Sequence, residues 1–286
     1  MKRLDVSEVV FRLISYIIVT LFALATLYPL IYILSYSLSD VTAMSNGSVV
    51  LLPKNFNNFM VYKVALKESS FWIAYCNTIF YTFFGTIVSM FISITGAYAL
   101  SKTKLLYRRT FNFLLVLTMW FKAGLVPEYL NYIDLGIDSR WGIIFGLGLN
   151  VFNIILLRNA FSGVPSEIEE AAIIDGANEF QVLTKVYMPM STASIATVTL
   201  FYAISRWNGY FWANWLLKSD MDKPLMVYIK NVPIRFGEDF NPVAVGYTES
   251  GYMYALIVCS IIPILCVYPY LSRFFSKGVN VGGVKE

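Results

Sequence analysis

Six long apolar runs alternate with polar connections along the chain: Leu13–Leu38, Asn77–Leu100, Phe111–Tyr132, Trp141–Phe161, Ser191–Trp215 and Tyr252–Phe274. Each can cross a hydrocarbon core of about 30 Å as a helix of about 20 residues. Polar residues inside the runs are patterned as well. In the second run Thr78, Thr82, Thr86, Ser89, Ser93 and Gly96 recur at steps of three and four. That puts small and hydroxyl side chains on one face, where they let helices pack closely in lipid. In the fourth, Gly142 and Gly146 stand one turn apart with Asn150 a turn further on, a helix contact within the chain or with another subunit. In the fifth, Thr192, Thr199, Tyr202, Arg206 and Tyr210 fall within about a quarter of the circumference at the 3.6-residue period, with Asn208 nearly opposite.

Two cations lie inside runs, Lys122 in the third and Arg206 in the fifth. Charge inside a span is costly, so each should meet protein, water or substrate. Arg206 has other readings: snorkelling to an interface among Trp207, Trp212 and Trp215, or pairing with Glu128 or an outer-loop carboxylate. Tyr202, Arg206 and Tyr210 combine donors with aromatic rings, which suits sugar hydroxyls and ring faces. With Lys122 they form a candidate substrate path that would favour an acidic sugar.

The longest polar interruption in the second half is Pro165–Pro189. Ser166 with Glu169 reads as a capping box after Pro165, so the spacing predicts a helix from Glu167. Glu167, Glu169 and Glu170 fall in its first turn, where the helix dipole favours carboxylates. Gly176 can end it in a left-handed turn. Asn178 with Gln181 can cap a second short helix, which Pro189 closes or kinks.

Lysine and arginine set the orientation. The connection 101–109 carries Lys102, Lys104, Arg108 and Arg109, whereas the turn around Asp134 and Asp138 carries Arg140 alone. Together with Lys2, Arg3 and Arg12 at the start and Arg273, Lys277 and Lys285 at the end, this predicts both termini, and the 165–189 loop, inside. Composition agrees with a polytopic membrane protein: 57% hydrophobic and 14% charged, against about 25% charged for a soluble domain. The chain reads as one transmembrane domain over residues 1–286, with no soluble domain. The net charge of +4 is too small to imply nucleic acid, and no nucleic-acid partner is expected. The absence of histidine removes the commonest general base, proton relay and metal ligand. Cys76, Cys259 and Cys266 lie in apolar runs without CxxC spacing and read as buried hydrophobes, with no metal site expected.

Within the polar interruption, Glu170-Ala171-Ala172, three residues, Gly176, nine residues, then Val186-x-Met188-Pro189 resembles the EAA loop of ABC importer permeases. The stretches YPLIYILSYSLSD, GLVPEYL, RWNGYFWA, KPLMVYI and FFSKGVNVGGVKE resemble the carbohydrate-uptake branch of that family, which includes the maltose-transporter permeases. The resemblance implies an all-α type I ABC importer permease fold of six transmembrane helices with a two-helix coupling loop. It implies that Glu169, Glu170, Ala171, Ala172, Asp175, Gly176 and Pro189 couple the chain to an ATPase. It also implies a heterodimer with a second permease, an ABC ATPase dimer, an extracytoplasmic solute-binding protein, a sugar substrate and a lipid bilayer, the prokaryotic plasma membrane. No GxxxxGK[ST] phosphate loop occurs, so ATP and Mg belong to the partner ATPase and this chain is no enzyme. Other classes remain in view. An ion-coupled transporter would place acids within spans, where Glu128 alone qualifies. A membrane enzyme would need a convergent acid, base or metal cluster, which no span supplies. A permease for a non-sugar solute and a non-catalytic scaffold are the remaining alternatives.

Overall fold

The computed structural model describes residues 6–56, 59–236 and 241–282. Lys2, Arg3 and Lys285, used above for orientation, lie outside the described residues, as do the side chains of Arg273 and Lys277. All regular structure described is helical. In order it is α1 (Val6–Ser37), α2 (Val41–Ser45), α3 (Met60–Lys67), α4 (Ser69–Ser101), α5 (Arg108–Trp120), α6 (Leu125–Asp134), α7 (Arg140–Gly146), α8 (Val151–Ser162), α9 (Ser166–Ile174) and α10 (Glu179–Val182). A π turn (Leu183–Tyr187) leads into α11 (Met188–Met190) and α12 (Thr192–Trp207). Then come α13 (Phe211–Leu216), a 3-10 turn (Asp220–Asp222), α14 (Leu225–Lys230), α15 (Val232–Arg235), α16 (Pro242–Val245) and α17 (Glu249–Gly282).

Three helices are long and apolar enough to span unbroken: Ser7–Ser37, Ser69–Ser101 and Glu249–Val267. The other three apolar runs are not straight rods. The pairs Arg108–Trp120 with Leu125–Asp134, Arg140–Gly146 with Val151–Ser162, and Glu179–Met190 with Thr192–Trp207 bend by 119°, 45° and 88°. Local chemistry explains the breaks. Gly124 sits at φ +92, which L side chains rarely adopt, and directly precedes α6. Asn150 accepts from Asn153 N at 3.2 Å and so starts α8 afresh. The fifth predicted run does not stay helical to Trp215: α12 stops at Trp207, and Asn208 and Gly209 separate it from α13. Tyr210 is therefore not on the same helix as Tyr202 and Arg206.

The chain divides into two compact units, Met1–Ser69 with Ile229–Ile262 and Ser70–Tyr228 with Pro263–Glu286. In the first, the serines of YSLSD fasten the end of α1. Ser35 Oγ donates to Leu51 O at 2.7 Å, Ser37 Oγ meets the Tyr62 hydroxyl at 2.7 Å, and Ser39 Oγ accepts from Lys54 N at 3.0 Å. Tyr254 of α17 packs edge-on to Tyr36 with ring centres 5.1 Å apart. Cys259 is buried, but Cys76 and Cys266 are exposed, so the reading of all three as buried hydrophobes holds for Cys259 alone.

The second unit holds two hydrophobic cores. One gathers Met90, Ala97, Leu157, Phe161, Val182, Tyr187, Val198 and Tyr202 from α4, α8, α10–α11 and α12. The other gathers Tyr81, Ile137, Ile143, Ile144, Ala213, Leu216 and Val227. The hydroxyl stripe of α4 faces inward: Thr78, Ser89 and Ser93 are fully buried. The Gly142/Gly146 pair serves a loop rather than a helix. A Cβ at Gly146 would meet the Ile137 side chain at 2.5 Å, and one at Gly142 would meet the Ile137 backbone at 2.8 Å.

Candidate functional site

The 165–189 segment folds as two short helices around a glycine turn, all within the second unit. Gly176 adopts φ +85. Its N–H donates to Ile173 O at 3.0 Å, and Ala177 N–H donates to Ala172 O at 2.9 Å. This is a Schellman closure, in which backbone donors beyond the helix satisfy its last carbonyls. Asp175 is the C-cap residue before it. Ala172 and Ala177, the residues bridged by that bond, both pack on the core below. The second helix carries the expected capping box: Gln181 N donates to Asn178 Oδ1 at 2.9 Å, and Asn178 N to Gln181 Oε1 at 3.0 Å. Pro189 does not end that helix. The π turn just before it loosens the backbone, with Met188 N–H reaching back to Leu183 O, and the sharp bend falls at Ser191.

The capping box expected at Ser166 and Glu169 is absent. α9 starts at Ser166 itself, after Pro165, with no side-chain cap. Glu169 is engaged elsewhere. It accepts from Lys102 Nζ at 2.5 Å and from the Tyr187 hydroxyl at 2.5 Å. Burial alone would raise its carboxyl. The hydrogen bonds from Lys102 and Tyr187, and the charges of Lys102 and Lys104, outweigh burial and hold it below the usual carboxylate range. The two adjacent candidates thus point different ways: Glu169 into the chain, Glu170 out. Glu170 and Ala171 are exposed, and so are Ile174 at 85% and Phe180 at 72%. These residues make an outward surface, part apolar and part acidic, on an otherwise compact turn.

The second candidate region is a cavity of about 830 Å³ walled by residues of α4, α7, α8, α12 and α13. Tyr202, Arg206 and Tyr210 all line it, although a helix break separates Tyr210 from the other two. Lys122 does not line it. It is exposed in the link between α5 and α6. Arg206 pairs neither with Glu128 nor with an outer-loop carboxylate; Glu128 accepts from the Tyr132 hydroxyl at 2.8 Å instead. The Arg206 guanidinium donates to Leu147 O at 2.5 Å, Ile143 O at 3.3 Å, Ile144 O at 3.5 Å and Ser89 Oγ at 3.3 Å. Those carbonyls belong to the last turn of α7 and its C-cap, which a helix leaves without intrahelical partners. One turn earlier on α12, the Tyr202 hydroxyl accepts from Asn150 N at 3.2 Å and meets Ser93 Oγ at 2.7 Å. Arg206 and Tyr202 thus hold the two sides of the α7–α8 break. Gly85 makes room for this, since a Cβ there would stand 2.9 Å from Arg206 Nε.

These features match known proteins over almost the whole chain. The family described as the binding-protein-dependent transport system inner membrane component matches residues 105–281. The chain belongs to this family. This permease is 34% identical over 281 residues to the polygalacturonan/rhamnogalacturonan transport system permease protein YtcP of Bacillus subtilis, covering 96% of this chain and 98% of that one. It is also 34% identical over 266 residues to protein LplC of the same organism, covering 91% of this chain and 90% of that one. Among solved structures, a chain of a bacterial ABC transporter involved in the import of the acidic polysaccharide alginate superposes with a TM-score of 0.86 at 43% identity, covering 96% of this chain and 100% of that one. The fold is therefore that of a type I ABC importer permease, and the protein is an inner-membrane transport subunit. The family assignment displaces the ion-coupled transporter, membrane-enzyme and scaffold readings.

Lys102, Tyr98, Tyr187 and Gly85 gave no functional signal in the sequence. Lys102 counted only toward orientation, and Tyr187 fell in an unconstrained position of the EAA pattern. The approach of Lys102 to Glu169, 67 residues away, is a tertiary contact that no local spacing encodes.

Proposed function

We propose that this permease forms half of a translocation pathway for oligosaccharides, uronate-bearing ones among them, handed over by an extracytoplasmic binding protein. The outward face of α9 and α10 docks on a separate ABC ATPase dimer, which carries ATP and Mg; a second permease completes the pathway, and both termini lie inside. The exposed set Glu170, Ala171, Ile174 and Phe180 around a rigid glycine turn carries this reading. Small Ala171 permits close approach, and the isoleucine and phenylalanine offer apolar area for a partner to cover. Substrate class rests on likeness to permeases named for polygalacturonan, rhamnogalacturonan and alginate. Tyr202, Tyr210 and Arg206 wall the path. Lys122 joins it only if the α5–α6 link faces the same passage, which substrate protection of a cysteine placed at 122 would read.

The test is reconstitution with the partner permease, ATPase and binding protein. ATP-dependent uptake of labelled galacturonate or alginate oligomers is expected. Uptake confined to amino acids or other non-sugar solutes would overturn the substrate class. In the same system Glu170→Lys should prevent the ATPase from co-purifying. Full retention of the ATPase by that variant would remove the outward face from the coupling surface.

A further inference from the structure

Beneath the coupling turn, one ammonium group ties three helices together. Lys102 follows directly on the last residue of α4. Its Nζ lies 2.5 Å from Glu169 Oε1 on α9 and 3.8 Å from Glu179 Oε2 on α10, so each coupling helix contributes one carboxylate. The same nitrogen sits 4.3 Å from the centre of the Tyr98 ring and 4.5 Å from that of Tyr187. Aromatic faces attract a cation at such distances. The rings meet edge to face with centres 5.0 Å apart. Their hydroxyls complete the ring of contacts crosswise: Tyr98 of α4 donates to Glu179, and Tyr187 of the π turn donates to Glu169. The Lys102 and Glu169 side chains are only 17% and 22% exposed, so water screens their pairing weakly. Arg108 Nε closes the end of α4 by donating to Leu100 O at 3.0 Å.

α4 continues unbroken from this cluster to the cavity. Tyr81, about 21 residues before Lys102, lines the cavity wall and so lies about 30 Å away along the helix at about 1.5 Å per residue. On the way α4 supplies Ser93 to Tyr202, and Ser89 and Gly85 to Arg206.

We propose that Lys102, caged by Tyr98 and Tyr187 and paired with Glu169 and Glu179, is a positioning residue that locks both coupling helices to the end of α4, so that displacement of α9 and α10 is delivered to the cavity wall through that helix. This rests on the reading that α9 and α10 dock on the ATPase. It adds that the same turn has a second, inward face with a different task. The outward face holds the motor, and the inward face passes on its movement.

Lys102→Met removes the charge and keeps the stem; Lys102→Arg restores a cation able to meet two carboxylates and stack on rings. Reconstituted complexes carrying each variant are compared for co-purified ATPase and for sugar taken up per ATP hydrolysed. Lys102→Met should keep the ATPase bound while uptake per ATP falls by at least about fivefold, the low end of ordinary coupling between sites. Lys102→Arg should recover most of the loss. An unchanged ratio in Lys102→Met, or a loss of assembled complexes with a normal ratio in the survivors, would overturn the proposal. Where Lys102→Met fails to assemble at all, Tyr187→Phe, which deletes one hydroxyl, is read for the same ratio. Failure of the docking reading looks different: there Glu170→Lys retains the ATPase whatever Lys102 does.

Discussion

A guanidinium carries five N–H donors in a fixed fork. In Arg206 that fork is spent on three backbone carbonyls at the end of α7 and on Ser89, so the charge sits inside the apolar unit without an acid beside it. Removing it would leave those carbonyls unpaired, at a cost of about 1–3 kcal/mol for each buried group left unsatisfied. Arg206→Gln should therefore lower the melting temperature of the purified subunit in detergent, and Gly85→Val should act in the same direction by displacing the side chain. Lys122→Gln, at an exposed link, should leave it unchanged. Equal melting of all three variants and the parent would show that the carbonyl contacts contribute nothing. A substrate role for Arg206 would appear separately, as lost uptake per surviving complex.

At the scale of elements, the coupling turn and the breaks differ in how far local chemistry announces them. Gly176→Pro cannot reach φ +85 and also loses the N–H that closes α9, so it should leave insertion intact and abolish uptake. Normal uptake at normal expression would mean that the turn is dispensable. The orientation has its own check. On a cysteine-free background, cysteines at Ser45 and Ser250 should react with an impermeant thiol reagent from outside, and those at Thr103 and Ser162 should not; the reverse pattern would invert the topology. The glycine turn and the Asn178–Gln181 box were legible because each depends on residues within a few positions. The same local grammar misled at Ser166 and Glu169: the spacing of a capping box is present, but Lys102 and Tyr187 compete for the carboxylate and win. Apolar runs showed where spans lie and hid their bends, because hydropathy carries on through Phe121–Gly124 and Leu147–Asn150 while the backbone turns. Tyr210 was placed on the right wall by a helical wheel that the actual helix does not obey.

For the whole molecule, the caged Lys102 makes assembly sensitive to acid in a defined direction. The Glu169 carboxyl is held below its ordinary value of 4.5, so its contribution is fully present above that pH and is lost as pH falls below it through the folded-state value. Thermal stability of the parent in detergent should therefore fall on acidification below about 4.5, and Glu169→Gln should lack that component of the fall; identical acid profiles would exclude it. The π turn has a different consequence, one of phase. A π turn is a helix carrying one residue more than its neighbours require. Deleting Thr184 would return Glu179–Met190 to ordinary winding and advance everything after it by about 100°. Tyr202 and Arg206 would then face away from Asn150 and Leu147, and the cavity would lose the side chains that hold its wall open. A single surplus residue near the coupling turn thus keeps the distant wall in step, and its removal should be as damaging as the loss of Arg206 itself.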